Sequence, residues 1–120
     1  MTIFSKFFPI PEEIQYRSSV STLKKRLDWG EPALTIIDAR SRVLFDINHI
    51  LGSISMPMNE PNDLTLASLE LSRDLYVYAD TDKETAIAAQ NLRHHGYQKV
   101  SELIGGLDAW KKANYPIVGY

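Results

Sequence analysis

The chain reads Ala79-Asp80-Thr81-Asp82-Lys83-Glu84-Thr85 between the apolar run Leu75-Tyr76-Val77-Tyr78 and a long amphipathic stretch. Side chains able to do chemistry concentrate in this segment. Asp80, Asp82 and Glu84 are oxygen donors of the kind that hold Mg²⁺ or Ca²⁺. The EF-hand spacing, with Gly at its sixth position and Glu at its twelfth, is absent, so no metal is assigned. The same residues have a simpler reading: Thr81-Asp82-Lys83-Glu84 fits a capping box, with Thr81 as N-cap and Glu84 at the third helical position. The carboxylates would then serve the orphan N–H groups that open the helix. Set against the single ammonium of Lys83, they leave the loop acidic, which disfavours an incoming anion.

Other candidates are fewer. The histidines are His49, His94 and His95. His94 and His95 are adjacent, so they point to different sides of a helix and cannot chelate one ion; both suit the negative end of a helix dipole. No Gly-x-Ser-x-Gly elbow, P-loop or Gly-x-Gly-x-x-Gly is present, so His49 has no nucleophile to activate. Asp38 and Arg40 are read as ties between a strand end and neighbouring loops. Trp29, Trp110 and the tyrosines are read as packing. The chain has no cysteine, which excludes disulfides, thiolate nucleophiles, persulfide carriers, Fe–S clusters and Cys-based zinc sites within it.

These residues sit in a chain of 120 residues, the size of one domain, with 44% hydrophobic residues and a net charge of −2. That balance argues against a nucleic-acid or anionic-membrane binder. No apolar run is long enough for a transmembrane helix, and the first residues lack a signal-peptide pattern. The expectation is a cytoplasmic protein without a cofactor. Oligomeric state leaves no mark on the sequence.

Residues 1–18 differ in texture, with Ile3, Phe4, Phe7, Phe8, Ile10 and Ile14 interrupted by Pro9 and Pro11. They are read as an irregular extension that covers a sheet edge or helix face, or docks a partner; residues 19–120 form the domain. Ser19 or Ser21 caps a helix carrying Val20, Leu23 and Leu27, stopped by Gly30 and Pro32. Leu34-Thr35-Ile36-Ile37 reads as a strand ending at Asp38, followed by a helical turn over Val43–Ile47 and a strand at Ser53–Met56. Leu64, Leu66, Ala67, Leu69 and Leu71 suggest a helix, and Leu75–Tyr78 a strand. Thr85, Ala88, Ala89 and Leu92 follow helical spacing up to His95-Gly96. Val100–Leu103 is a strand, Gly105-Gly106 a turn, and Leu107–Lys112 a last helix. Strands alternating with helices predict an α/β fold, with a mainly parallel sheet covered on both faces.

Several separated motifs, in order, resemble the rhodanese family. Asp38-Ala39-Arg40 is similar to its Asp-x-Arg motif. Asn48-His49-Ile50-Leu51-Gly52-Ser53-Ile54 with Pro57 resembles Gly-His-Ile-x-Gly-Ala. Gly105-Gly106-Leu107, Trp110 and Tyr115-Pro116 resemble its C-terminal Gly-Gly-x-x-x-Trp region. The resemblance implies a five-stranded, mainly parallel sheet flanked by helices, with structural roles for Asp38, Arg40, His49, Gly52, Gly105, Gly106 and Trp110.

Active members carry Cys-x-x-Gly-x-Arg-Ser after the central strand, and the thiolate accepts sulfane sulfur as a persulfide. Aligned without gaps, Ala79 stands at the Cys, Asp82 at the Gly and Glu84 at the Arg; Thr85 keeps the hydroxyl of the Ser. The resemblance thus implies a rhodanese-like domain without sulfurtransferase activity. Its expected role is a protein-binding or regulatory module, in sulfur-related metabolism, whose acidic loop faces a basic partner protein. The alternative is a cysteine-independent enzyme, or a small-ligand or metal binder, using that loop.

Overall fold

A computed structural model describes residues 13–30, 33–58 and 68–120. Five strands form one wholly parallel sheet: β1 (Arg17–Ser18), β2 (Leu34–Asp38), β4 (Ile54–Ser55), β5 (Asp74–Tyr78) and β6 (Lys99–Leu103). Their order is β1-β6-β5-β2-β4. Helices α1 (Val20–Asp28), α2 (Arg42–Ile47), α3 (Asp82–His94) and α4 (Gly106–Lys112) connect them. Strands β3 (Asn48–Ile50) and β7 (Ile117–Gly119) pair antiparallel as a separate ribbon.

The period-two alternation of the strands builds two cores. Ile37, Leu75, Val77, Ala79 and Val100 pack on one face of the sheet against Ala88, Ala89 and Leu92 of α3. Ile36, Tyr76, Tyr78 and Leu103 point to the other face, against Leu23 of α1 and Leu107 and Trp110 of α4. The register places Asp38 beside both Tyr78 and Ser55, so three strands end together where the loops begin. Among the described residues no helix is long and apolar enough to cross a membrane.

Local sequence explains most boundaries. The Ser19 hydroxyl accepts from the Thr22 amide and starts α1; Ser41 does the same for Leu44 and α2. Three expectations need adjustment. Arg17 and Ser18, the last residues of the segment read as an extension, form edge strand β1, held by pairing with β6 and by the buried Ser18–Ser101 hydroxyl contact at 2.6 Å. Residues 1–12 lie outside the described residues. The strand at Ser53–Met56 contracts to Ile54–Ser55, because the Ser53 amide donates to Ile50 and closes a turn instead. Of the helix suggested across Leu64–Leu71, residues up to 67 lie outside the described residues; Leu69 packs on the α3-side core, and Leu71 lies within a turn closed by the Arg73 amide donating to the Glu70 carbonyl. The β3–β7 ribbon was not foreseen, since Asn48–Ile50 reads as loop.

Candidate functional site

In an open parallel sheet the site lies beyond the carboxyl ends of the strands, here the ends of β2 and β5. The Ala39 amide donates to the Tyr78 carbonyl (2.8 Å) and clamps the two strand ends together. Below the loop lies a buried polar network. Asp38, wholly buried, accepts from the Arg40 amide (2.9 Å), from Arg40 Nε (3.1 Å) and Nη2 (2.8 Å), and from the Tyr78 hydroxyl (2.7 Å). Arg40 Nη2 also donates to the Asn48 carbonyl. The Tyr78 oxygen accepts from the Ile50 amide (3.1 Å) and lies 3.3 Å from Ser53 Oγ.

Two directions of titration follow. Burial drives the Tyr78 hydroxyl well above the usual tyrosine range, and the neighbouring Asp38 charge pushes the same way. Burial opposes the charge on Arg40, but the hydrogen bonds and charge of Asp38 outweigh it and hold Arg40 above its ordinary value. The network is a neutral phenol braced on an ion pair. Its partners span β2, β3, β5 and the turn before β4.

The two ends of the loop are braced by its own atoms. Ala79, 7% exposed, directly follows β5, and its amide donates to Thr85 Oγ1 (2.9 Å). That hydroxyl, 1% exposed as a residue, donates onward to the Thr81 carbonyl (2.9 Å). Thr81 is the N-cap of α3 and accepts from the Glu84 amide at 3.1 Å. Among the described residues the reciprocal half of the capping box is not made: Glu84 is exposed, and its carboxylate does not return to the Thr81 amide. Asp82 reaches instead to α4, accepting from the Gly105 amide at 2.9 Å. Gly105 takes φ +79°, and a Cβ there would lie 2.5 Å from Ala109 Cβ, so glycine is required at this helix start.

Asp80, Asp82, Lys83 and Glu84 are exposed. The negative charge of Asp80 is the smallest of the influences that hold Arg40 above its ordinary value. Among the described residues no three His, Cys, Asp or Glu side chains come together as a metal-binding group.

The remaining motif residues fasten neighbouring loops. His49 stacks on Phe45 (centroids 3.7 Å apart), and its Nδ1 lies 2.7 Å from the Phe45 carbonyl, joining α2 to β3. Gly52 turns the chain between β3 and β4 with φ +88°. Gly106 packs under the loop, its position for a Cβ being 3.4 Å from the Ala79 carbonyl oxygen. Trp110 is buried, and its Nε1 donates to the Pro116 carbonyl (2.8 Å), which sets the approach to β7.

His94 and His95 stand apart from all this at the far end of α3. His95 borders a cavity of about 300 Å³ between α3 and the sheet, walled by Ile37, Val77, Leu92, Met56 and Met58. None of residues 79–85 lines it.

Sequence reasoning missed two features. Tyr78 is the centre of the polar network, although it reads as an ordinary strand residue. Its signal is register: a tyrosine paired with the strand-end Asp of an Asp-x-Arg motif. The second is a set of exposed apolar side chains, Val43, Ile47, Leu51, Val118 and Tyr120, on α2, on β7 and next to the ends of β3 and β7.

The comparisons agree with this geometry. A crystal structure of the Alr3790 protein from Anabaena superposes with a TM-score of 0.81 at 47% identity, covering 85% of this chain and 80% of that one. The adenylyltransferase and sulfurtransferase uba4 of Ogataea parapolymorpha is 26% identical over 68% of this chain and 22% of its own length. The putative sulfur carrier protein YrkF of Bacillus subtilis is 24% identical over 77% of this chain and 49% of its own length. The chain thus spans half or less of these two curated relatives. The family described as Rhodanese-like domain matches residues 19–113, from the cap of α1 to the end of α4, and the chain belongs to it.

Proposed function

We propose that this domain binds a partner protein and does not transfer sulfur. The observation that carries the reading is Ala79. A methyl group occupies the position directly after β5 where the family's active loop begins, and the 120 residues hold no cysteine to replace it.

The hydrogen bonding supports the same reading. A loop that cradles an anion aims free amides at one point. Here the Ala79 and Glu84 amides at the two ends of the loop are taken by Thr85 and Thr81, the Gly105 amide of the neighbouring turn is taken by Asp82, and the outward loop side chains Asp80, Asp82 and Glu84 are acidic. Elsewhere on the domain, α2, which follows the carboxyl end of β2, and the segment around β7 leave Val43 70% and Tyr120 93% exposed. The partner is accordingly a protein presenting basic residues to the acidic loop. Sulfur-handling proteins among the relatives favour a setting in sulfur metabolism.

Two measurements test this. With thiosulfate and cyanide the protein should form no thiocyanate above the blank; turnover would overturn the non-catalytic half. For the binding half, immobilised wild type and an Asp80→Lys/Asp82→Lys/Glu84→Lys variant are exposed to lysate from the source organism. A protein retained by wild type and lost by the variant is expected. Equal retention by both removes the loop as the interface, and retention by neither overturns the binding role. In that last case a divalent-ion thermal titration tests the small-ligand alternative by mass action.

A further inference from the structure

We draw no further inference here: the strongest candidate, the half-open apolar cavity between α3 and the β2–β5 face of the sheet, bordered by Met56, Met58 and His95, carries nothing because nothing in the structure shows what covers it.

Discussion

Replacing Tyr78 by Phe removes one oxygen and keeps the ring, so its cost isolates the polar network beneath the loop. The lost oxygen donates to the buried Asp38 carboxylate and accepts from the Ile50 amide. A hydrogen bond to a charged group contributes about 1.5–3 kcal/mol, and a stranded buried amide costs about 1–3 kcal/mol. Asp38 keeps its bonds from Arg40, so the carboxylate itself is not orphaned. The Ser53 contact at 3.3 Å adds least. The expected loss is therefore about 3–5 kcal/mol, a large part of the stability of a single domain. For a chain of this size it lowers Tm by on the order of 15 °C. Urea unfolding measures it directly, as a lower midpoint with an unchanged m value. Tyr76→Phe is the internal control. Its hydroxyl accepts from the Arg26 guanidinium at a partly buried position, and because Arg26 keeps its bond to Asp74 the removal should cost about 1.5 kcal/mol, the low end for a charged partner. A Tyr78→Phe loss no greater than that of Tyr76→Phe would refute the reasoning, because the phenol would then not fasten β3 to the sheet.

Other expectations follow from the same contacts. Because burial holds the Tyr78 proton in the folded state, its contribution is fully present below the ordinary tyrosine value, about 10, and is lost as pH rises beyond it. Tyr97, also raised by burial, gives a smaller loss of the same sign, so alkaline destabilisation should shrink in Tyr78→Phe without vanishing. Thr85→Val strands the Ala79 amide and should cost about 2 kcal/mol, whereas Thr85→Ser should recover most of it; equal melting of the two variants counts against the loop brace. Asp82→Ala should speed hydrogen exchange at the Gly105 amide severalfold with little global effect, and unchanged protection there would sink the cross-loop tie. In an Ala79→Cys background, adding Glu84→Arg should lower the thiol pKa by about one unit, read from the pH dependence of alkylation. No change would mean that the rim charges do not reach position 79.

How much was legible beforehand depended on the range of each interaction. Helix α3 announced itself through Thr85, Ala88, Ala89 and Leu92, all of which are buried, because helical spacing is a local pattern. The Thr81 cap was legible for the same reason. Strand β1 has two residues and β3 has three, too few for a period to register. They exist because a distant segment pairs with them, and nothing in Arg17-Ser18 or Asn48-His49-Ile50 specifies that partner. Asp82 shows the limit of local reasoning. Its position inside a capping box suggested a bond within α3, yet its carboxylate goes to Gly105, supplied by a neighbouring crossover. The roles of Asp38 and Arg40 as ties could be named from motif and strand end, but the phenol that joins them needed the register of β5 on β2.

The ribbon also sets an order of events during synthesis. The Asn48 side chain reaches the carbonyl of Tyr120, 72 residues further along, and Ser18 at the sheet edge meets Ser101, 83 residues on. A nascent chain emerging from the ribosome can helicise α1 and α2 early, but both closures must wait for late segments. Loop closure over such spans is slow relative to local structure. Until the residues of β7 are released, the backbone of β3 lacks its ladder partner and Ile50 lacks Ile117 across from it. The domain is therefore completed from its C-terminal segment backward, and a ribosome stalled before Ile117 would hold a chain with its sheet begun and its rim still open.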